Sequence, residues 1–236
     1  MIVRVHLTPP PRGTAGGAGF LGVAIDVLRA TSTLTAASAN GAARIVPFAE
    51  TAEALRFRDA TPGALACGER DGRIVEGFDL GNSPFEYAPE VVGGRTLAFA
   101  STNGSRAMLA LERCDRVLLG AFVNASAVLS TLVLPESGGG ASSAIEIVCA
   151  GSLGRFSYED AAFAGWLCRA LAAQGATLDG EGARSALAHA PGGADDVRTR
   201  VERSQHGLML ASLGEEFAAD VAWCATLDRL DHVASL

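Results

Sequence analysis

The stretch that most constrains the fold runs from residue 21 to residue 33 and reads LGVAIDVLRATST. Its first half is a short apolar segment rich in Val and Ile, which predicts a buried β-strand ending at Asp26. Arg29 and several hydroxyl side chains then lead into a helix-like segment. In α/β proteins such a strand, turn and helix N-terminus form an anion site, because backbone N–H groups and the helix dipole face the turn.

Asp26 and Arg29 carry the chemistry that this turn predicts. Asp26 could bind a metal or act as a nucleophile, and Arg29 could bind an oxyanion with its forked guanidinium. The alternative is that Asp26 caps the turn and Arg29 is solvated, as such residues often are at helix N-termini. The stretch alone leaves both interpretations open.

Strand-like and helix-like segments joined by short turns alternate along the rest of the chain. This alternation predicts an α/β fold, with three α/β/α layers around one mostly parallel or mixed sheet. The dipeptide Asp71-Gly72 predicts a tight hairpin turn between two short strands. We expect a single domain over residues 1–236, and the glycine-rich residues 136–143 predict a flexible connection at which a two-lobed chain would divide.

The composition excludes several classes of function. A net charge of −7 disfavours nucleic acid as a partner, and no apolar run reaches the roughly 20 residues that span a bilayer. All 19 basic residues are arginine, so chemistry that needs a lysine amine is excluded. The 5 cysteines include no CxxC pair, which argues against a disulfide framework or a structural zinc site. We expect a cytoplasmic protein that acts on a small molecule, with a homo-oligomer left open.

Four loops that follow predicted strands have a composition suited to an anionic ligand. Each contains an arginine together with glycine or hydroxyl residues that let backbone donors approach a ligand. The loops span residues 26–32, 68–70, 101–106 and 149–155. Carboxylates lie within or beside them, at Asp26, Glu69, Glu76, Asp79, Glu159 and Asp160. These carboxylates would repel an anion unless a cation lay between, so the pattern predicts a substrate with several negative charges and a divalent ion, most simply Mg²⁺.

Each part of this pattern also has a purely structural interpretation. Residues 101–106 could form an ordinary turn and helix cap. Glu159 and Asp160 suit the first turn of any helix. Glu69 could pair with its neighbour in solvent, and His206 is more often a structural or capping residue than a base.

Six motifs resemble the 2-phosphosulfolactate phosphatase family, also called the ComB family. They occur in that family's order over about residues 21–225 and read IDVLRATST, GERDGRIVEGFDLGNSPFEY, STNGSRA, GAFVNASAV, CAGSLGRFSYEDAAFAG and SQHG. The resemblance implies an α/β fold and a Mg²⁺-dependent acid phosphatase that converts 2-phospho-3-sulfolactate to 3-sulfolactate and phosphate, in the route to coenzyme M. Ser101 and Ala121 depart mildly from the family pattern, where Thr and Ser are expected. The lysine-free composition suggests a high-GC bacterium, so the substrate could be another 2-phospho acid.

In this interpretation the charged residues divide by role. Asp26 with Glu69, Glu159 or Asp160 would hold Mg²⁺, Arg29 and Arg106 would stabilise the transferring phosphoryl group, and Arg70 and Arg155 would bind the carboxylate and the sulfonate. Further predicted substrate contacts are Ser101, Thr102, Asn103, Gly104, Ser105, Gly151 and His206. Position 28 is Leu, so the second Asp of the haloacid-dehalogenase signature is missing and that aspartyl-phosphate mechanism is not available in its usual form.

Two alternatives remain. Cys149 and Arg155 have the Cys-x5-Arg spacing of the cysteine phosphatases, in which a helix N-terminus lowers the pKa of the nucleophilic thiol. The residue before Cys149 is Val rather than His, and a buried cysteine at a strand end explains the same position. The other alternative is a protein that binds a phosphorylated metabolite without chemistry, which the carboxylates among the arginines disfavour.

Overall fold

The computed structural model describes residues 1–133 and 144–236, and the connection predicted at residues 136–143 lies outside these ranges. The strands are β1 (Ile2–His6), β2 (Phe20–Ile25), β3 (Arg44–Phe48), β4 (Leu65–Arg70), β5 (Arg73–Ile74), β6 (Thr96–Ala100), β7 (Arg116–Gly120), β8 (Ala144–Cys149) and β9 (Thr177–Asp179). The helices are α1 (Ala30–Ala39), α2 (Thr51–Ala60), α3 (Pro89–Val92), α4 (Gly104–Ala110), α5 (Ala125–Val133), α6 (Tyr158–Ala173), α7 (Gly180–Ala188), α8 (Ala194–Glu202), α9 (Gln205–Ala211) and α10 (Glu215–Cys224).

The strands form two sheets. One sheet is parallel throughout and has the order β7-β2-β8-β1-β9. In the other, of order β3-β6-β4-β5, the first three strands are parallel and β5 returns antiparallel to β4. The predicted hairpin turn is confirmed, with Asp71 and Gly72 at φ angles of 53° and 77°. The three-layer α/β/α class is confirmed, but the strands divide between two sheets where the sequence analysis expected one.

Helices α1 and α4 lie between the two sheets. Their apolar side chains share one core with both: Leu34 and Met108 are grouped there with Val148 of the larger sheet and Phe99 of the smaller. All residues of α1 from Ala30 to Ala37 are buried, so this helix has no solvent-facing stripe. The small side chains of this segment (ATSTLTAA) allow a helix to fit between two sheets.

The hydroxyl groups of α1 have hydrogen-bond partners inside this buried layer. Thr31 Oγ1 lies 2.8 Å from the carbonyl oxygen of Gly120, and Thr35 Oγ1 donates to the carbonyl oxygen of Thr31 at 2.7 Å. Ser32 donates to the carbonyl oxygen of Val27, and Thr33 to that of Asn82. Buried polar groups normally have such partners, and here they tie α1 to the loops around it.

Helices on the outer faces complete the layers. α5, α6, α7 and α8 contribute to the core on the other face of the larger sheet. The outer face of the smaller sheet packs against α2. Among the helices in the described ranges, none is both long enough and apolar enough to cross a membrane.

We expect Leu34→Ala to lower the free energy of unfolding by about 2–5 kcal/mol, because the change leaves a cavity between two sheets that cannot easily collapse. The measurement is urea denaturation followed by circular dichroism. Leu208→Ala is the matched control, since Leu208 is 58% exposed and should change stability by about 0.5 kcal/mol at most. Equal effects of the two changes would contradict the buried position of α1.

Candidate active site

A cleft of about 240 Å³ lies at the carboxyl ends of β2, β4, β6 and β8. We call it the main cleft. It is lined by Asp26, Leu28, Arg29, Glu69, Asp71, Gly72, Asn82, Thr102, Asn103, Ser152, Leu153, His206, Met209 and Leu210. Strand ends of both sheets therefore contribute to one site, as is usual in open α/β structures.

Asp26 lies at the base of the main cleft, directly after β2. Its Oδ1 accepts a hydrogen bond from the backbone N–H of Ala30 at 3.3 Å, and its own N–H donates to Thr31 Oγ1 at 3.0 Å. Gly104 packs against the other side, where a Cβ atom would lie 2.6 Å from Asp26 Oδ2. Burial raises the pKa of Asp26 to about 7, and repulsion from Glu69 adds to this effect.

Arg29 is held in place from three directions. Its guanidinium pairs with Asp220 of α10, and both side chains are almost completely buried. Nη2 donates to the carbonyl oxygen of Gly72 at 2.9 Å, and the guanidinium lies 5.2 Å from the ring centroid of Phe217. Ser83 Oγ donates to the second oxygen of Asp220 at 2.6 Å. The arginine is therefore preorganised at the edge of the main cleft.

Glu69 joins the β4–β5 hairpin to the loop after β6. It accepts hydrogen bonds from the backbone N–H groups of Thr102 and Gly72, both at 2.7 Å. The preceding Gly68 has a φ angle of 129°, and a Cβ atom there would lie 1.9 Å from the carbonyl oxygen of Ala100. Only glycine allows β4 and β6 to approach so closely, and this approach brings Glu69 to the main cleft.

Asp160 connects the loops that follow β2 and β8. Its Oδ1 accepts from the backbone N–H of Val27 at 2.9 Å, and its Oδ2 accepts from that of Gly151 at 3.0 Å. Burial and the neighbouring carboxylates Asp26 and Glu159 raise its pKa well above the ordinary value. Both of its oxygens are thus engaged by backbone groups beneath the site.

Glu159 pairs with His206, whose ring lines the main cleft. Glu159 Oε1 lies 3.3 Å from His206 Nδ1. Burial alone would raise the pKa of Glu159 and lower that of His206, but the attraction between the two outweighs burial. The pKa of Glu159 is lowered and that of His206 is raised, so the charged form of each is favoured.

A second cleft of about 520 Å³ adjoins the first, and we call it the side cleft. It is lined by Ser152, Leu153, Arg155, Phe156, Ser157, Tyr158, Glu159, Gln205, His206 and Met209. Four of these residues also line the main cleft: Ser152, Leu153, His206 and Met209. The two clefts are therefore continuous, with His206 between them.

Comparison with known proteins identifies the family. A family model described as 2-phosphosulpholactate phosphatase matches residues 11–236. The chain belongs to this family. A protein of Thermotoga petrophila is 39% identical over 215 residues, which cover 91% of this chain and 88% of the relative. One from Synechococcus sp. strain JA-3-3Ab is 38% identical over 97% of this chain and 93% of its own length, and one from Deinococcus radiodurans is 39% identical over 90% and 85%. All three are named probable 2-phosphosulfolactate phosphatase.

The motifs predicted a resemblance to the 2-phosphosulfolactate phosphatase family, and this resemblance is confirmed. The structure brings a subset of the residues predicted for this family to the main cleft: Asp26, Arg29, Glu69, Thr102, Asn103 and His206. Arg155 and Glu159 line the side cleft. The catalytic and binding roles of these residues stay predictions.

Two of the four predicted arginines lie elsewhere in this member of the 2-phosphosulfolactate phosphatase family. Arg70 donates to the carbonyl oxygens of Glu69 and Ala49, so its guanidinium is bound by backbone groups of β4 and of the loop after β3. Arg106 is exposed and lines neither cleft. On α4 it lies on the solvent side, because the buried side of that helix is filled by residues such as Met108. Neither arginine is among the residues that line the main cleft, and the roles predicted for both stay predictions.

The remaining predicted residues support loops beneath the site. Ser105 N–H donates to Ser101 Oγ at 3.1 Å and Ser101 N–H donates to Ser105 Oγ at 2.9 Å, which closes the turn before α4. Gly104 packs against Asp26, and the Gly151 N–H is occupied by Asp160. In this chain these groups position the loops rather than line the main cleft.

Cys149 lies in the core, packed among residues of the larger sheet and α6. It is completely buried, and burial raises the pKa of its thiol well above the ordinary value. Arg155, six residues later, is exposed. A protonated, inaccessible thiol is a poor nucleophile, so this environment disfavours the cysteine mechanism.

Two further residues of the site were not predicted. Asn82 lines the main cleft, is 6% exposed, and its Oδ1 makes no hydrogen bond to a described group. It lies within the longest motif that carried the family resemblance, which was the available signal. Asp220 lies far along the chain in a helix with no local sign of a binding role, so its pairing with Arg29 could be found only in three dimensions.

The carboxylates do not form a closed metal cage. Over residues 1–133 and 144–236, no group of three or more His, Cys, Asp or Glu side chains is arranged to hold a metal ion. Mg²⁺, however, commonly uses one or two carboxylates and completes its shell with water and substrate phosphate. Asp26 and Glu69 both line the main cleft and fit that smaller donor set.

We expect Asp220→Ala to lower the free energy of unfolding by about 3–5 kcal/mol, because it leaves the buried Arg29 charge without its carboxylate partner. Asp179→Ala is the matched control. Asp179 pairs with Arg4 at 2.9 Å where both side chains are about half exposed, so its loss should cost about 1 kcal/mol at most. Chemical denaturation of both variants measures the difference, and similar costs would show that the Arg29–Asp220 pair is not buried.

Proposed function

We propose that this protein is a Mg²⁺-dependent phosphatase that hydrolyses 2-phospho-3-sulfolactate, or a closely related 2-phospho acid, to the 2-hydroxy acid and phosphate. Membership of the 2-phosphosulfolactate phosphatase family supports the reaction. The observation that carries the proposal is the main cleft itself, in which a fixed arginine and buried carboxylates face the same space.

The charge of the main cleft supports the need for a cation. Asp26, Glu69 and Asp71 line it. The arginine of the main cleft, Arg29, is already neutralised by Asp220. A phosphate ester with further acidic groups would meet net repulsion here unless a cation joined it. Mg²⁺ bound by Asp26 and Glu69 would neutralise the phosphoryl oxygens and stabilise the charge that develops during transfer.

Arg29 has the position to stabilise the phosphoryl group. The guanidinium has five N–H donors, and the contacts with Asp220 and Gly72 account for two of them. Because Asp220 and Phe217 hold the side chain, its remaining donors need not reorganise during the reaction. In the proposed mechanism Arg29 therefore binds the phosphoryl oxygens in a fixed orientation.

His206 is the candidate general acid. It lines both clefts, and its Nδ1 lies 3.3 Å from Glu159, which leaves Nε2 as the ring nitrogen that Glu159 does not use. The leaving alkoxide of a 2-hydroxy acid needs a proton, and an imidazolium is suited to supply one. Glu159 then orients the ring rather than binding the cation.

The cysteine alternative and the non-catalytic alternative have less support. A buried, protonated Cys149 cannot attack a substrate in the main cleft. A protein that only bound an anion would gain nothing from carboxylates at the base of its site.

The first test is metal dependence. We expect phosphate release from 2-phospho-3-sulfolactate to be lost in EDTA and restored by excess Mg²⁺, because the carboxylates of the main cleft otherwise repel the ester. Phosphate release is followed colorimetrically on the same enzyme before and after chelation. Full activity in EDTA would contradict the metal mechanism.

The second test concerns Asp26. We expect Asp26→Asn to lower kcat by about 10² or more while the fold survives, since the change removes a key charge at the reacting centre and keeps the shape of the side chain. Asp195→Asn is the control, because Asp195 is exposed in the first turn of α8. Steady-state kinetics and circular dichroism of both variants decide the matter. If kcat of the Asp26 variant were within a few-fold of the kcat of the parent enzyme, Asp26 would have only a turn-capping role.

A further inference from the structure

The side cleft differs from the main cleft in its charge. Arg155 lines it and forms no ion pair with a residue in the described part of the chain. Glu159, the carboxylate in its lining, is already compensated by His206. An oxyanion can therefore enter the side cleft without a cation, whereas the main cleft repels one.

The side cleft also contains hydrogen-bond donors that an oxyanion could reach. Ser157 is 5% exposed, and its Oγ makes no regular hydrogen bond to another described group. The hydroxyl lies near the Glu159 carboxylate and helps to lower the pKa of that group. It occupies the N-cap position of the sixteen-residue helix α6 without capping it through its side chain. The first N–H groups of a helix have no intrahelical partners, and the positive end of the helix dipole lies there. Gln205 adds an amide at the rim.

The turn that carries Arg155 is well defined. Ser152 and Arg155 exchange two backbone hydrogen bonds, each 2.9 Å long. Gly151 lies directly before this turn with a φ angle of 64°, where a Cβ atom would be 2.4 Å from the carbonyl oxygen of Arg155. The N–H of Leu153 donates to Asn103 Oδ1 at 3.0 Å, which ties the turn to the loop after β6. Arg155 thus projects from a fixed turn at the junction of the two clefts.

We propose that the side cleft binds the sulfonate of the substrate, through Arg155, the Ser157 hydroxyl and the N-terminus of α6. This inference rests on the proposed function, because it places one end of a phosphorylated sulfolactate while the ester lies in the main cleft. The carboxylate shares a carbon atom with the phosphoester, whereas the sulfonate is one methylene further away. The sulfonate is therefore the group that reaches the adjoining cleft, and its single permanent charge matches the unpaired Arg155.

The test is a comparison of two substrates with two arginine variants. For Arg155→Ala we expect KM for 2-phospho-3-sulfolactate to rise about tenfold or more, the effect of losing a charged hydrogen bond, with kcat within twofold. KM for 2-phospholactate, which has no sulfonate, should change by less than twofold. Arg155→Lys should restore part of the loss. Arg116→Ala is the matched control, because Arg116 is exposed at the amino end of β7, whereas the clefts lie at the carboxyl ends of the strands.

Binding of the product separates this inference from the proposed function. Calorimetry should show that the wild-type protein binds 3-sulfolactate more tightly than lactate, and that Arg155→Ala removes the difference. If the enzyme hydrolyses neither ester, the proposed function is wrong. The difference in binding between 3-sulfolactate and lactate then still tests whether the side cleft binds the sulfonate. The inference is overturned if Arg155→Ala raises KM equally for both esters, changes neither, or leaves the preference for 3-sulfolactate intact.

Discussion

The burial of α1 between two sheets is the constraint on which the site depends. A helix that is enclosed on all sides cannot shift without opening two layers of core, and its hydroxyl groups are bound to the surrounding loops. The turn from Asp26 to Arg29 leads directly into this helix. The orientation of both side chains is therefore fixed by packing that extends well beyond the site, which is what a preorganised active site needs.

Burial also determines the electrostatics of the site. Asp26 and Asp160 have raised pKa values because they are removed from water and lie near other carboxylates. Folding tolerates Asp160 because two backbone N–H groups bind it, and Glu159 because His206 lies beside it. Asp26 has the weaker set of partners and lines the main cleft. Asp26, at the proposed metal position, thus has fewer hydrogen-bond partners on its carboxylate than Asp160 and lies at the cleft where a ligand can reach it.

The sequence predicted the features that are encoded within a few residues. Asp26 at the end of β2 and the hairpin turn at Asp71-Gly72 follow from local strand and turn signals, and the structure confirms both positions. The partner of Arg29 lies 191 residues away, so no local pattern could identify it. The directions of the Arg70 and Arg106 side chains depend on which face of a strand or helix is buried. The buried face could be known only once the two-sheet arrangement was known. An arginine near a strand end is therefore a weaker predictor of a position in the site than an aspartate directly after a strand.

In the function proposed here, the division into two clefts would separate catalysis from discrimination among 2-phospho acids. In the proposed function, binding of the ester in the main cleft would depend on a cation, because the cleft's own charges oppose an anion. In the side cleft, Arg155 and the α6 N-terminus would act without one. Binding energy gained there is the same before and during phosphoryl transfer, so it favours one substrate over another without changing the rate of the chemical step. Relatives that keep the main cleft and change the turn at residues 151–155 would then share the reaction and differ in the acid that they accept.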